Sequence, residues 1–368
     1  MRVPAGPSNA MNISKHLEQH RSIRVFTREP IPDAILSEIL GCSTRASTGG
    51  SMQLYSIVVT TVPERREALA ALHLGSDTVR NAPTVLTFCV DCRRLARWLE
   101  LHGETAGLDN MWGFAIGFSD ALLAAQNALI VAESNGLGGC FLGSTFVGAA
   151  AIAHFLGCPK GVLPVATLAM GHPAENPTIA TRLPLRAIVH QEQYGDASPD
   201  ELRAMYDDHA RTTFERFCAI PYVAHAAKVA GVRDLPGYYA QLMYPRSLIE
   251  VAAAHFHAAI QLQGFIDEPQ LARIRAVRKA TEDPIISTMH PIRQLAFAMA
   301  LTSGHADALL DTDPSLAEKE IANFVLAHDP IFYNDLTERG LFDVAVRARF
   351  LALLAAFGRH ASFVPERP

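Results

Sequence analysis

The chain has 368 residues, a length suited to about two domains or to one large domain with an extension. Apolar residues make up 49% and charged residues 19%, the balance of a chain that folds around a core. A formal charge of −5 argues against a general nucleic-acid binder, whose footprint is basic.

The opening stretch MRVPAGPSNAMNIS lacks an apolar core and does not read as a signal peptide. Residues 12–20 predict a short helix, with Ser14 as N-cap and Ile13 and Leu17 on one face. A basic cluster follows at once: His20, Arg21 and Arg24 around Ser22, in a chain that is otherwise slightly acidic. Pro32 opens the next helix, striped by Ile35, Leu36, Ile39 and Leu40. Strands are expected over 54–62 and 83–91, with a helix starting at Pro63 between them.

Residues 115–135 give the strongest helix, apolar nearly all round and therefore central. Asp120, Gln126 and Asn127 argue against its being a membrane span. The helix stops at NGLGG, where Gly136 can take the left-handed conformation past the C-cap. GLGGCFLGS follows a helix rather than a strand, and reads as a turn. A third strand is expected over 162–171. Strand and helix therefore mix up to about residue 195, an α+β or α/β layout.

Beyond residue 198 the pattern is helical, notably at PRSLIEVAAAHFHAAIQLQGF and GLFDVAVRARFLALLAAFG, with Asp313 as an N-cap before Pro314. The second of these segments is expected to bury its apolar face against its own domain or a dimer mate. The seam between the two textures falls near residue 266. His290, His305 and His328 lack metal-ligand spacing, and no metal is expected. Six scattered cysteines are too sparse for a disulfide framework and suit the reducing cytoplasm. Cys89 and Cys92 form a CxxC at the end of a β-like run. No second pair completes a zinc site, so the motif reads as structural.

No dinucleotide fingerprint, P-loop, HExxH or GxSxG elbow is present. Two readings of the basic cluster stand side by side: a solvated surface turn, or the grip for one phosphate by guanidinium, hydroxyl and imidazole donors. Ser47, Thr48, Gly49 and Gln53 form a small-residue loop running into a strand. Such a loop lets a planar ligand approach the backbone, with Gln53 offering donor and acceptor to a heterocycle edge. Arg182 is a second candidate cation for the same phosphate.

In order, HRSIRVF, STGGSMQ, APTVLTFCVD, AQNALIVAESNGLGGCFLG and the run LGCPKGVLPVATLAMGHPAENPTIATRLPLRAIVHQEQY resemble the nitroreductase superfamily. More narrowly, they are similar to its oxygen-insensitive NADPH nitroreductase and flavin reductase group, over about residues 12–265. The resemblance implies an α+β, nitroreductase-like three-layer sandwich with a central, mostly antiparallel sheet. To it the helical segment 266–368 is added as an all-α C-terminal extension. It also implies a cytoplasmic homodimer, off the membrane, with FMN at the interface and NADPH or NADH as hydride donor. Carried over by position, His20, Arg21 and Ser22 hold the FMN phosphate with Arg182, and Arg24 reaches the ribityl chain or the ring's pyrimidine edge. Ser47, Thr48 and Gln53 line the ring, and Phe141, Leu142, Gly143 and Ser144 form the backbone wall against it.

Three departures from the family pattern stand out: Ala180 in place of a common lysine, Ser51 in place of asparagine, and Ser76 with Thr78 where cofactor-touching residues are usual. In this chemistry the flavin carries the redox load, so no side chain is expected to act as nucleophile or general acid. The expected activity is reduction of a nitroaromatic, a quinone or free flavin. Alternatives are a flavin oxidase or dehydrogenase acting on a particular metabolite, and a non-catalytic flavoprotein whose helical tail binds a partner.

Overall fold

A computed structural model of the chain describes residues 13–105, 107–287, 291–303, 305–311, 313–333 and 344–361. The start of the first predicted helix, His290 and residues 340–343 lie outside these, as does most of the opening stretch. The chain divides into two compact units, 1–265 and 266–368.

The first unit opens with α1 (Ile13–Glu18), in which Ser14 lies in the first turn, and α2 (Asp33–Ser43). Then come β1 (Tyr55–Thr60), α3 (Pro63–Leu72), α4 (Asp77–Asn81), β2 (Thr84–Asp91) and α5 (Arg93–Glu100). The long α6 (Met111–Ser134), β3 (Gly138–Phe141), α7 (Ser144–Leu156) and β4 (Val162–Gly171) complete the sheet region. Helices α8 (Pro199–Cys218), α9 (Pro221–Ala230), α10 (Leu235–Tyr238) and α11 (Arg246–Leu262) follow, with one π-turn at Tyr239–Met243.

The sheet runs β1-β2-β4-β3 with every pair antiparallel, as the resemblance implies. Both central strands are buried along their whole length, so both faces of the sheet are covered. That is why VLTFCVD and VLPVATLAM are nearly unbroken apolar runs rather than alternating ones. Helix α6 packs on β2 and β4 and is covered by α2, while α7 packs on β4 and is covered by α11. Phe114 and Phe118 of α6, Phe146 of α7, Phe256 of α11 and Phe265 join in an aromatic cluster, with ring centroids 5.0 to 6.2 Å apart. Alone among the described helices, α6 is long and apolar enough to cross a membrane, yet one of its faces is buried in this core.

The turn expected at GLGGCFLGS is instead the edge strand β3. Its glycines serve close approach: a Cβ at Gly138 would stand 2.4 Å from Ile23 Cγ1, and one at Gly139 2.8 Å from Leu129 Cδ1. The basic segment therefore lies directly on this strand, with Ile23 N–H donating to the Gly139 carbonyl at 3.0 Å. Gly136 does take the left-handed conformation, at φ 75°. All six cysteines are free. Cys92 stands at the N-cap position of α5 without a side-chain capping bond, and burial pushes its thiol up to about 12, against any helix-dipole effect. A hydrogen bond to Cys158 and burial likewise raise Cys89, so neither thiol of the CxxC is poised for redox work.

The second unit comprises α12 (Glu268–Glu282), α13 (Pro284–Ser287), α14 (Pro291–Thr302), α15 (Pro314–His328) and α16 (Val344–Ala361). Its own core includes Phe297, Leu301, Ile321, Phe332, Phe350, Leu354 and Phe357. The apolar face of α16 is thus spent inside its own unit. Asp313 caps α15 as expected, accepting from the N–H groups of Ser315 and Leu316.

Candidate active site

Three segments of the first unit carry most of the residues singled out in the sequence. The basic segment lies between α1 and the end of β4. There His20, Arg21 and Ile23 line a cavity of about 260 Å³ with His16, Gln19, Glu133, Glu175 and Asn176. Arg21 Nη1 donates to Asn176 Oδ1 at 2.6 Å. His20 Nδ1 lies 2.6 Å from Glu133 Oε1, and His16 Nε2 lies 3.9 Å from the other carboxylate oxygen. Glu175 Oε1 accepts the backbone N–H groups of both Arg24 (2.5 Å) and Val25 (2.9 Å).

Two carboxylates line the same cavity, and each has donors of its own. Glu133 faces two imidazoles, and Glu175 takes two amide dipoles. Among the described residues the Arg21 guanidinium is paired only with a neutral amide, which leaves its other N–H donors for an anion in the cavity. Ser22 sits half-buried between these groups, and Arg24 Nη1 donates to its carbonyl at 3.5 Å.

The second segment is the loop from Ser47 to Gln53 ahead of β1. Asp120 is 2% exposed, and its carboxylate accepts from Gly49 N–H (2.9 Å) and Leu54 N–H (3.0 Å). Between these two pins Gly50, Ser51 and Gln53 all have positive φ, at 55°, 58° and 54°. For Ser51 and Gln53 this conformation costs about 1–3 kcal/mol each, and such strain concentrates at ligand sites. Arg94 holds the far end: its guanidinium donates to the carbonyls of Gln53 and Tyr55 and to Ser56 Oγ. Ser47 and Gln53 are exposed on the loop, and Thr48 is half-buried.

The third segment is the β3–α7 junction. Phe141 and Gly143 are exposed, while Leu142 and Ser144 are half-buried. Leu142 N–H donates to the Thr167 carbonyl at 2.9 Å, which fixes the junction to β4. His73, at the C-terminal end of α3, sits 2.9 Å from Ser144 Oγ.

Arg182 belongs to none of these clusters. It is exposed, and its Nη1 donates to the carbonyls of Ala180 (3.1 Å) and Thr181 (3.4 Å). Among the described contacts none joins it to Arg21. Ser76 precedes α4 without a side-chain capping bond. The supporting groups Glu133, Glu175, Asn176, Asp120, Arg94 and His73 are absent from the sequence-derived set of site residues. Only Asp120 carries a signal, as an acid within an otherwise apolar helix.

Residues 17–172 match the model of the nitroreductase family. An oxygen-insensitive NADPH nitroreductase of Salmonella typhimurium is 36% identical over 189 residues, 51% of this chain and 77% of that one. An FMN reductase (NADPH) of Bacillus subtilis is 32% identical over 207 residues, 56% and 81% of the two chains. The crystal structure of nitroreductase A from Vibrio parahaemolyticus superposes with a TM-score of 0.52 at 33% identity, covering 60% of this chain and 92% of that one. The order of the sheet, the basic segment laid on its glycine edge strand and these likenesses agree: the chain belongs to the nitroreductase family.

Proposed function

We propose that this chain is an FMN-dependent oxidoreductase that takes hydride from NADPH or NADH and delivers reducing equivalents to a nitroaromatic, quinone or flavin acceptor. The observation that carries this reading is the anion cavity beside β3. It is lined by an imidazole and a guanidinium on consecutive residues, the guanidinium paired with a neutral amide, with Ser22 next in the chain, and its carboxylates are held by imidazole and backbone N–H groups. A phosphate monoester brings close to two negative charges and three acceptor oxygens, which match this donor set. The bound FMN would supply hydride acceptance and donation.

The protein's part is to bind and orient. Arg21, His20 and Ser22 hold the phosphate, and Arg24 lies along the same edge. Arg182 joins them by exchanging its two local carbonyls for phosphate oxygens. The loop bearing Ser47, Thr48 and Gln53 presents backbone and amide groups to the ring. Phe141, Leu142, Gly143 and Ser144 wall its other side. Residues 12–265 constitute the catalytic domain and 266–368 an appended helical domain. The working unit is a cytoplasmic homodimer with FMN at its interface.

Anaerobic addition of NADPH or NADH to the FMN-loaded protein tests the reading. Loss of the 450-nm region absorbance, recovered on adding a nitroaromatic or a quinone, is the expected result. Failure of either nicotinamide to bleach bound flavin overturns the reductase assignment.

A further inference from the structure

The end of α3 presses a histidine against the start of α7. Gly148 allows the approach, because a Cβ there would stand 2.6 Å from the Leu72 carbonyl oxygen. His73 follows immediately, 1% exposed, with Nδ1 at 2.9 Å from Ser144 Oγ. Its Nε2 is buried and meets no hydrogen-bonding group among the described residues.

Both neutral tautomers satisfy the 2.9 Å contact, but they differ at the other nitrogen. A proton on Nε2 leaves a buried N–H unpaired, at roughly 1–3 kcal/mol. With the proton on Nδ1, the ring donates to Ser144 Oγ and only a lone pair goes unused. Burial also lowers the His73 pKa to about 4, so the ring is neutral above mildly acidic pH. Once Ser144 Oγ accepts from His73, its own proton must point to another acceptor. No protein group among the described residues takes that proton. The serine opens a 13-residue helix whose amide dipoles favour negative charge at this end.

We propose that His73, as its Nδ1–H tautomer, is a positioning residue that turns the Ser144 hydroxyl into a hydrogen-bond donor toward the flavin ring. The proposal rests on the FMN reading above. Ser144 thereby favours the electron-rich reduced form of the cofactor over the oxidised one, and His73 acts only through it.

Two measurements decide it, the first without cofactor. In histidine-¹⁵N-labelled apoprotein, long-range ¹H–¹⁵N spectra show His73 protonated on Nδ1 and not titrating between pH 6 and 8. A proton on Nε2 instead, the usual solution preference, overturns the proposal whatever the flavin data say. The second is the midpoint potential of bound FMN. Ser144→Ala lowers the affinity ratio of reduced over oxidised FMN about tenfold. For a two-electron couple that is about 30 mV more negative. His73→Leu moves the potential in the same direction by a similar amount, the double variant falls no further, and His73→Asn, which keeps an N–H, recovers most of the shift. A His73→Leu potential at the wild-type value, or an effect that adds fully to that of Ser144→Ala, overturns the proposal. Should His73→Leu fail to fold, the tautomer and the Ser144→Ala and His73→Asn potentials decide. A wild-type protein that takes up no FMN at all overturns the cofactor assignment, with the role of His73 falling alongside it.

Discussion

The two arms of the site are both held in shape by a carboxylate that accepts a pair of backbone N–H groups, but the surroundings differ. Asp120 pins the strained loop from inside an apolar helix and is almost wholly buried. Glu175 pins the basic segment from a half-buried position in an irregular stretch. Water can replace Glu175 on its amides if the side chain is lost. Asp120 is harder to replace, because the Leu54 N–H it satisfies is buried and the Gly49 N–H is partly so. The same motif therefore serves stability in one place and local geometry in the other.

Asp120→Ala should have the largest effect, about 3–5 kcal/mol of unfolding free energy in urea titration, because two charge-assisted bonds are lost in a buried setting. If Asp120→Ala and Glu175→Ala cost the same, the burial distinction is broken. Acid should act on the buried side of the comparison too. The folded pKa of His73, about 4, lies below the ordinary 6.5, so the unfolded chain takes up the proton first. Stability present above pH 6.5 is then lost as pH falls toward 4, by about 3 kcal/mol in total. His73→Asn should remove that part of the slope in unfolding curves taken at pH 7 and pH 4.5. A slope identical to wild type would show that His73 contributes none of it.

On the exposed side the effects should appear in binding rather than folding. Arg21→Ala should weaken FMN about 10- to 100-fold in a fluorescence titration, with the thermal midpoint of the apoprotein unchanged. An unchanged FMN affinity would remove the phosphate assignment. Glu175→Gln, which keeps an acceptor oxygen for the two amides, should be the mildest, within about 1 kcal/mol of wild type in stability and within threefold in FMN affinity. A large loss there would mean that its charge, and not its geometry, shapes the anion cavity.

The long elements were legible because their signals are local. The apolar runs of β2 and β4, the Pro63 start of α3 and the Gly136 stop of α6 agree closely with the structure. Strand β3 was not legible: Gly138 and Gly139 are there for the sake of Ile23 and Leu129, residues brought in by tertiary packing. Helices α5 and α7 were not anticipated either. For the site, the cationic donors stood out against an acidic chain, but their counter-groups did not. Glu133, Glu175 and Asn176 reach the basic segment from 113, 151 and 155 residues away. In sequence Asp120 serves only to argue against a membrane span, although an acid in such a helix also asks what it holds.

Asp120 and Glu133 ride on one continuous helix, thirteen residues apart. At 1.5 Å per residue the rod sets them about 20 Å apart along its axis and roughly 220° apart around it. Helix α6 is therefore a ruler: it fixes the span between the cavity beside β3 and the strained loop, and so the length of any ligand that reaches both. Inserting a single alanine between those two acids would swing one anchor by about 100° relative to the other, breaking the span while leaving every contacting residue in place.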